Sequence, residues 1–284
     1  MRCDGIKVKN CDPIYALIPY FLTKRYDAMN MTTIDIPVEP MKKYINEKRK
    51  EGTPISHLAL VLAAYLRTAA EYPLINRFIG NRNVYQHKDF TVSMVVLRHN
   101  DDTMAKLHFE MTDDIFEVQR KIDEFIESNR SEDDQSIDKA MRIIRRIPGF
   151  MGAVLALFRF MDRHGLLPKA LVEVSPFHAS LLISNLASIR TNHIYHHVYQ
   201  FGTTSVGITM GNMREVPKRK AGIIVHEKCI PLGVVMDERI CSGHYFARAF
   251  QRLKGYLAEP ETLEGAPKFE VVSSEEAAKI SQTI

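Results

Sequence analysis

Hydrophobic residues recur along the chain in two ways, by alternation with polar residues and at a spacing of three to four residues. Alternation is typical of half-buried strands, and the longer spacing is typical of amphipathic helices. Helices are predicted at 13–25, 40–51, 57–71, 114–129, around 137–147, from 150 to about 164, and at 243–257. Strands are predicted at 30–38, after a turn at 80–83, and at 106–111, 179–185, 203–212, 221–227 and 230–236. We expect the last two strands to form a hairpin that turns near Lys228.

Two residues give further detail on the start of a helix and the position of a strand. Ser56 stands directly before the helix predicted at 57–71, where a serine hydroxyl can accept a hydrogen bond from a free N–H group of the first turn. Pro37 lies in the strand predicted at 30–38 and has no N–H group to donate. That strand is therefore expected to lie at a sheet edge or to end early.

The region 133–177 begins within an acidic loop at 131–136 and contains a break at Pro148 and Gly149. Its apolar helix leaves three interpretations open: a helical hairpin that covers the sheet or packs on a neighbouring subunit, an apolar lid or acyl-chain channel, and contact with a membrane surface. The most apolar run, 150–158, is too short to span a bilayer, which takes about 20 residues.

Composition narrows the class of protein. The chain has 284 residues, of which 45% are hydrophobic and 25% charged, and its formal net charge is +4. These values are ordinary for a globular protein, and the scattered basic residues give little reason to propose a nucleic-acid partner. We expect one domain, 1–263, followed by a polar tail, 264–284.

The cysteines are irregularly spaced, with no C-x-x-C pair, and the N-terminus has no secretory pattern. This usage predicts reduced thiols in a cytoplasmic protein. The four cysteines are Cys3, Cys11, Cys229 and Cys241.

Two phrases hold the candidate chemistry. Residues 183–186 read I-S-N-L, and residues 237–243 read D-E-R-I-C-S-G, where a buried strand leads into an amphipathic helix. Together they resemble the signatures F-T-I-S-N-L-G and D-H-R-x-x-D-G of the lipoate-dependent acyltransferases of 2-oxoacid dehydrogenase complexes and, more broadly, the related chloramphenicol acetyltransferases. Matching order and phrases extend over about 13–263, except in the region 133–177.

The resemblance implies an α/β fold of the chloramphenicol acetyltransferase type, with a mixed β-sheet flanked by helices. It also implies a homotrimer with active sites between subunits and coenzyme A or an acyl-coenzyme A as the substrate. Because the chain starts almost directly in the catalytic region, we expect a stand-alone protein with no bound lipoyl group. We also expect no metal.

The resemblance assigns roles to individual residues. Ser184 takes the place of the serine that stabilises the oxyanion, Glu238 stands where the family has its catalytic histidine, and Ser242 stands where it has Asp or Asn. Asn185, Cys241 and Gly243 are assigned to substrate binding.

The replacement of histidine by Glu238 leaves two hypotheses open. Glutamate has an unperturbed pKa about two units below that of histidine and is a weaker base unless burial raises its pKa. Losing a matched general base typically costs about 10² to 10⁴ in rate. The chain is then either an acyltransferase with altered acid-base chemistry or an inactive, trimeric binding or scaffold protein.

Other residues offer weaker alternatives. His193, His196 and His197 form a cluster that resembles a metal site but lacks a nearby Cys or carboxylate, and one of them is a possible replacement base. Cys241 is either a nucleophile or a small core residue. His244 is expected in the first turn of the last helix.

Overall fold

The computed structural model describes residues 2–98, 101–131 and 150–281. The helices in these ranges are α1 (Pro13–Phe21), α2 (Val38–Lys50), α3 (His57–Glu71), α4 (Ile115–Ser131), α5 (Phe150–His164), α6 (Lys169–Val174), α7 (Gly243–Ala258) and α8 (Ser274–Ala277). The strands are β1 (Gly5–Lys7), β2 (Met29–Pro37), β3 (Arg77–Gly80), β4 (Asn83–His87), β5 (Phe90–Arg98), β6 (Asp101–Phe109), β7 (Leu181–Asn185), β8 (Val206–Met210), β9 (Arg214–Lys220) and β10 (Ile223–Asp237). The helix predicted around 137–147 lies outside the described residues.

A mixed sheet organises the molecule. Its strand order is β2-β10-β8-β7-β5-β6, with β9 paired to the first half of β10. β7 runs parallel to β5 and β8, whereas the other pairs are antiparallel. A second, three-stranded sheet has the order β1-β4-β3. The predicted α/β fold, with a mixed sheet flanked by helices, is confirmed.

One face of the main sheet packs against the helices. In β7, Leu181 and Ile183 belong to the hydrophobic core, together with the apolar faces of α2, α3, α4 and α7. Since successive side chains in a strand point to opposite faces, Leu182 and Ser184 lie on the other face. That second face, where β7, β8, β10 and β2 run side by side, is the one on which candidate site residues lie.

An extended segment, residues 191–199, crosses this second face, and we call it the strap. Its Ile194 N–H donates to Thr209 Oγ1 at 3.2 Å. Gly233 lies beneath the strap, and a Cβ added there would clash with the Ile194 carbonyl oxygen and lie 2.8 Å from Thr209 Oγ1. Glycine is therefore required at this position because the strap backbone approaches the sheet so closely.

Several sequence predictions are confirmed. Ser56 caps α3, with its hydroxyl oxygen 3.1 Å from the Ala59 N–H. β2, which contains Pro37, pairs with β10 and lies at the end of the strand order formed by the described residues. The apolar helix from Phe150 is α5, and its Leu155, Leu157 and Phe160 are exposed.

The prediction of a hairpin turning near Lys228 is wrong. β10 continues through Lys228 as a single 15-residue strand, and the turn lies at Ala221 and Gly222, between β9 and β10. Both turn residues have positive φ, 48° and 84°, as a two-residue hairpin turn of the primed type requires. The polar run P-K-R-K at residues 217–220, for which no strand was predicted, forms the second half of β9.

The first helix is also shorter than predicted. α1 ends at Phe21, and a 3-10 turn follows at Arg25–Ala28. Arg25, the first residue of this turn, is buried and takes part in an ion pair described below.

The C-terminal segment, expected as a polar tail, packs against the second sheet. Ala277 in α8 is buried, and Arg77 Nη2 donates to the carbonyl oxygens of Ala277 and Ile280 at 2.9 and 2.8 Å. Among the described helices, none combines the length and apolar character needed to cross a bilayer.

The contact between the strap and Gly233 can be tested by adding one methyl group. We expect Gly233→Ala to lower the free energy of unfolding by about 3 kcal/mol, because the new Cβ has no space beneath the strap backbone. Gly255→Ala in α7 is the matched control, since nothing lies within 4 Å of its added Cβ, and it should raise stability by up to about 1 kcal/mol. Urea denaturation measures both, and equal effects would contradict the packing of the strap.

Candidate active site

A buried carboxylate anchors the turn that follows β10. Asp237 binds the guanidinium of Arg239 at two points, with Oδ1 2.7 Å from Nε and Oδ2 2.6 Å from Nη2. Asp237 Oδ1 also accepts the Arg239 backbone N–H at 3.1 Å. Both side chains are almost completely buried. A paired fork of this kind fixes the direction of both side chains as well as the local backbone.

A second arginine reaches the same carboxylate from the N-terminal part of the chain. Arg25 Nε lies 3.4 Å from Asp237 Oδ2, and its Nη2 donates to the Gly202 carbonyl at 3.1 Å. Burial lowers the pKa of Arg25, while Asp237 opposes that change. No sequence signal marks Arg25 as a partner, because the two residues are far apart in the chain.

The ion pair turns Arg239 inward and leaves Glu238 facing outward. Glu238 is partly exposed, and its Oε2 accepts a hydrogen bond from Asn30 Nδ2 at 2.8 Å. Its backbone N–H donates to the Ala28 carbonyl at 2.9 Å. Arg239, the nearest arginine in sequence, is committed to Asp237, so Glu238 remains available at the position of the family's histidine.

Ser242 caps the helix that follows. Its hydroxyl accepts the Tyr245 N–H at 3.1 Å, which makes it the N-cap of α7. It also hydrogen-bonds Tyr15 of α1, whose pKa is raised chiefly by burial. In this chain Asp237, five residues before Ser242, supplies the contact that braces Arg239. Tyr15 is a site residue that the sequence patterns did not reveal.

The ISNL phrase forms the end of β7. Ser184 is 9% exposed and lies on the face of the sheet that carries the strap. The neighbouring Asn185 has its side-chain oxygen buried, with no hydrogen-bond partner among the described residues. A buried acceptor left unpaired is costly, which makes Asn185 a candidate for binding a polar group of a ligand.

Strand register separates Ser184 from Glu238 within one chain. Ser184 lies beside Thr209, and Thr209 lies beside Gly233, so two strand spacings separate Ser184 from β10. Glu238 is five positions beyond Gly233 in the sequence. With about 3.3 Å per residue and 4.8 Å per strand, their Cα atoms are on the order of 15–20 Å apart. A single chain cannot bring both side chains to one reacting carbonyl.

The other residues assigned to substrate binding divide between surface and core. Gly243 is the first residue of α7 and has open space around it. Cys241 is fully buried in the hydrophobic core, and burial raises its pKa well above the ordinary thiol value. Cys241 therefore packs within the core, in surroundings unlike those of a reactive thiolate. His244 lies in the first turn of α7, as expected.

The histidine cluster lies in the strap. His193 Nε2 is 2.9 Å from Thr33 Oγ1, which is also 2.6 Å from the Tyr195 hydroxyl. Burial is the largest cause that lowers the pKa of His193, favouring the neutral form. His196 and His197 stack on each other with ring centroids 5.2 Å apart. In the part of the chain that the structure describes, no group of three His, Cys, Asp or Glu residues is arranged to hold a metal ion.

Part of the chain resembles a known protein family. Residues 178–264, which contain both candidate phrases, match the family described as 2-oxoacid dehydrogenases acyltransferase (catalytic domain). No curated protein sequence matches the chain. The resemblance indicated by the two phrases is confirmed.

Solved structures extend the similarity in fold over most of the chain. A probable dihydrolipoamide acetyltransferase from Listeria monocytogenes 4b F2365 has a TM-score of 0.59 at 12% identity, covering 92% of this chain and 96% of that one. The Azotobacter vinelandii dihydrolipoamide acetyltransferase has 0.58 at 13%, with 87% and 90% covered. A chloramphenicol acetyltransferase has 0.53 at 12%, with 90% and 100% covered.

The role of the buried carboxylate can be tested by removing its charge. We expect Asp237→Asn to lower the free energy of unfolding by about 3–5 kcal/mol, because Arg25 and Arg239 would remain buried without a counter-charge. Asp35→Asn is the control, since Asp35 pairs with the half-exposed Arg214, and it should cost less than about 1 kcal/mol. Chemical denaturation at pH 7 measures both variants. A loss in Asp237→Asn as small as that in Asp35→Asn would contradict a structural role for the pair of Asp237 and Arg239.

Proposed function

We propose that the chain is an acyltransferase that moves an acyl group to or from a coenzyme A thioester, at sites formed between copies in a homotrimer. The observation that supports this proposal most directly is the separation of Ser184 from Glu238. Each residue stands where the related family has a catalytic group, yet one chain keeps them on the order of 15–20 Å apart. A neighbouring copy can supply the missing half of each site.

In the proposed reaction, Glu238 removes the proton from the thiol or hydroxyl of the acceptor as that atom attacks the thioester carbonyl. The Ser184 hydroxyl of a neighbouring copy donates a hydrogen bond to the oxyanion. When the tetrahedral intermediate collapses, the carbon–sulfur bond breaks and Glu238 returns the proton to the departing sulfur. One preformed oxyanion donor contributes on the order of 10² to 10³ in rate.

The surroundings of these residues suit this division of roles. Asp237 and Arg239 hold the backbone on both sides of Glu238, so the carboxylate is presented from a fixed turn. The Asn30 side chain donates to Glu238 and orients it. Asn185, adjacent to Ser184, has an unpaired acceptor that can bind an N–H group of the thioester substrate. The chemistry requires neither a bound lipoyl group nor a metal.

A binding or scaffold protein without turnover is the second candidate. The hydrogen bond from Asn30 already occupies Glu238 Oε2, one of the two carboxylate oxygens that would take the proton of an acceptor, and this observation supports the alternative. In that case the sites between copies would bind a thioester without transferring its acyl group.

Release of free thiol from a panel of acyl-coenzyme A compounds, with varied acceptors, tests turnover. We expect Glu238→Gln to lower the rate at least about 100-fold, because it removes the base, while Glu215→Gln, an exposed carboxylate on β9, leaves it unchanged. Turnover only in the double substitution Glu238→His with Ser242→Asp would favour the binding protein. A rate insensitive to Glu238→Gln would exclude Glu238 as the base.

Mixing two inactive variants tests whether each site is shared between copies. Ser184→Ala and Glu238→Gln chains, refolded together in equal amounts, should regain about one quarter of the activity, since one site in four then combines an intact Ser184 with an intact Glu238. Each variant refolded alone is the control. No recovery in mixed oligomers of confirmed size would contradict a site shared between copies.

A further inference from the structure

A separate cavity of about 800 Å³ lies beside the buried ion pairs. Its walls come from residues 23–26, the turn between β3 and β4, the second half of α5 and residues 199–202. Arg239 lines this cavity whereas Glu238 does not. The cavity thus lies behind the turn that presents Glu238, and α5 belongs to the region 133–177 that departs from the related family. Its volume is in the range of pockets that hold small molecules.

The buried charges behind the cavity are paired with one another. Asp162 Oδ1 accepts from Arg2 Nη2 at 2.9 Å, and Asp162 Oδ2 accepts the Gly202 N–H at 2.9 Å. Arg2 also pairs with Asp4, and Asp237 pairs with two arginines as described above. Among the described residues that line the cavity, Asp162 is the one acidic residue, and these contacts already engage it.

The other basic residues of the lining stand at the rim of the cavity. Lys24, Arg82, Arg159 and Arg163 all line the cavity, and none forms an ion pair with a carboxylate among the described residues. Arg163 Nε donates to Asn81 Oδ1 at 3.2 Å, and Arg82 lies over the Tyr20 ring, 5.4 Å from its centroid. Like charges gathered around one opening repel, and an anion bound there would relieve the repulsion.

Arg82 occupies a position that favours glycine. Asn81 and Arg82 are the two central residues of the turn between β3 and β4, with φ of 43° and 65°. Two-residue turns of this kind most often have glycine second, because a side chain is strained at positive φ. Arg82 therefore places its charge at the edge of a cationic cavity despite the strain of its backbone.

We infer that this cavity binds a phosphorylated small molecule, with Arg82, Arg159, Arg163 and Lys24 as the groups that engage its phosphates. Guanidinium forks match phosphate oxygens in geometry and charge, which favours phosphate over a single carboxylate. Tyr26, Tyr199 and Phe201 also line the cavity and offer aromatic surface for the rest of the molecule. Because this cavity does not include Glu238, the inference stands apart from the proposed acyl transfer.

Calorimetric titration with inorganic pyrophosphate tests the inference, with Arg82→Gly as the principal variant. Arg82→Gly removes one phosphate contact and also relieves the strain at φ 65°, so we expect affinity to fall about tenfold without a lower melting temperature. Arg190→Gly is the matched control, because Arg190 is an exposed arginine at φ 57° outside the cavity. The affinity of this variant for pyrophosphate should equal that of the natural protein.

A second variant, Arg159→Glu, reverses a charge on α5 and should reduce pyrophosphate affinity further. Undetectable pyrophosphate binding by the natural protein, or equal affinity in Arg82→Gly and Arg190→Gly, would overturn the inference.

Competition identifies the source of the phosphate. If coenzyme A displaces pyrophosphate but pantetheine does not, the cavity holds the diphosphate of the thioester substrate; if ADP displaces it and coenzyme A does not, the ligand is a separate phosphorylated molecule. Both results support a phosphate site. The titration does not depend on thiol release, so failure of acyl transfer and failure of phosphate binding are distinguishable.

Discussion

The ion pair between Asp237 and Arg239 is the interaction on which the candidate site depends. It closes the turn between β10 and α7 through two side-chain contacts and one backbone contact. The same carboxylate receives Arg25, which ties the N-terminal segment to the end of the central strand. Taking these charges out of water is costly, and their mutual pairing offsets that cost. The direction of Glu238 follows, because its neighbour in sequence is held inward.

A second constraint is the arrangement of the sheet. Helices cover one face, while the strap covers part of the other, and Ser184 lies on the strap side. Register keeps Ser184 and Glu238 in different places along the sheet, whichever rotamers they adopt. The proposed chemistry therefore depends on assembly as much as on the fold. The proposed phosphate cavity, by contrast, is lined by Arg82, Arg159 and Arg163 of the same chain.

Local patterns predicted much of the fold. The helical spacing located α3 and α7, and Ser56 marked the start of α3, because capping and amphipathic burial are short-range effects. The hydrophobic pattern failed at β9, because a polar run forms part of that strand. Strand pairing depends on a partner that can be distant in sequence. The local pattern therefore did not distinguish a turn at Ala221 and Gly222 from one near Lys228.

What the sequence by itself determined is the family resemblance, the type of fold and the positions of Ser184, Glu238 and Ser242, since these reside in short phrases with fixed spacing. The tertiary structure alone decided which groups these residues meet. Arg25, Tyr15 and Asn30 reach the turn after β10 from more than two hundred positions away, and Cys241 is directed into the core by the same turn. The reason is physical: a buried charge or an orphaned hydrogen-bonding group selects its partner by distance in space, and distance in space is set by the packing of the whole chain.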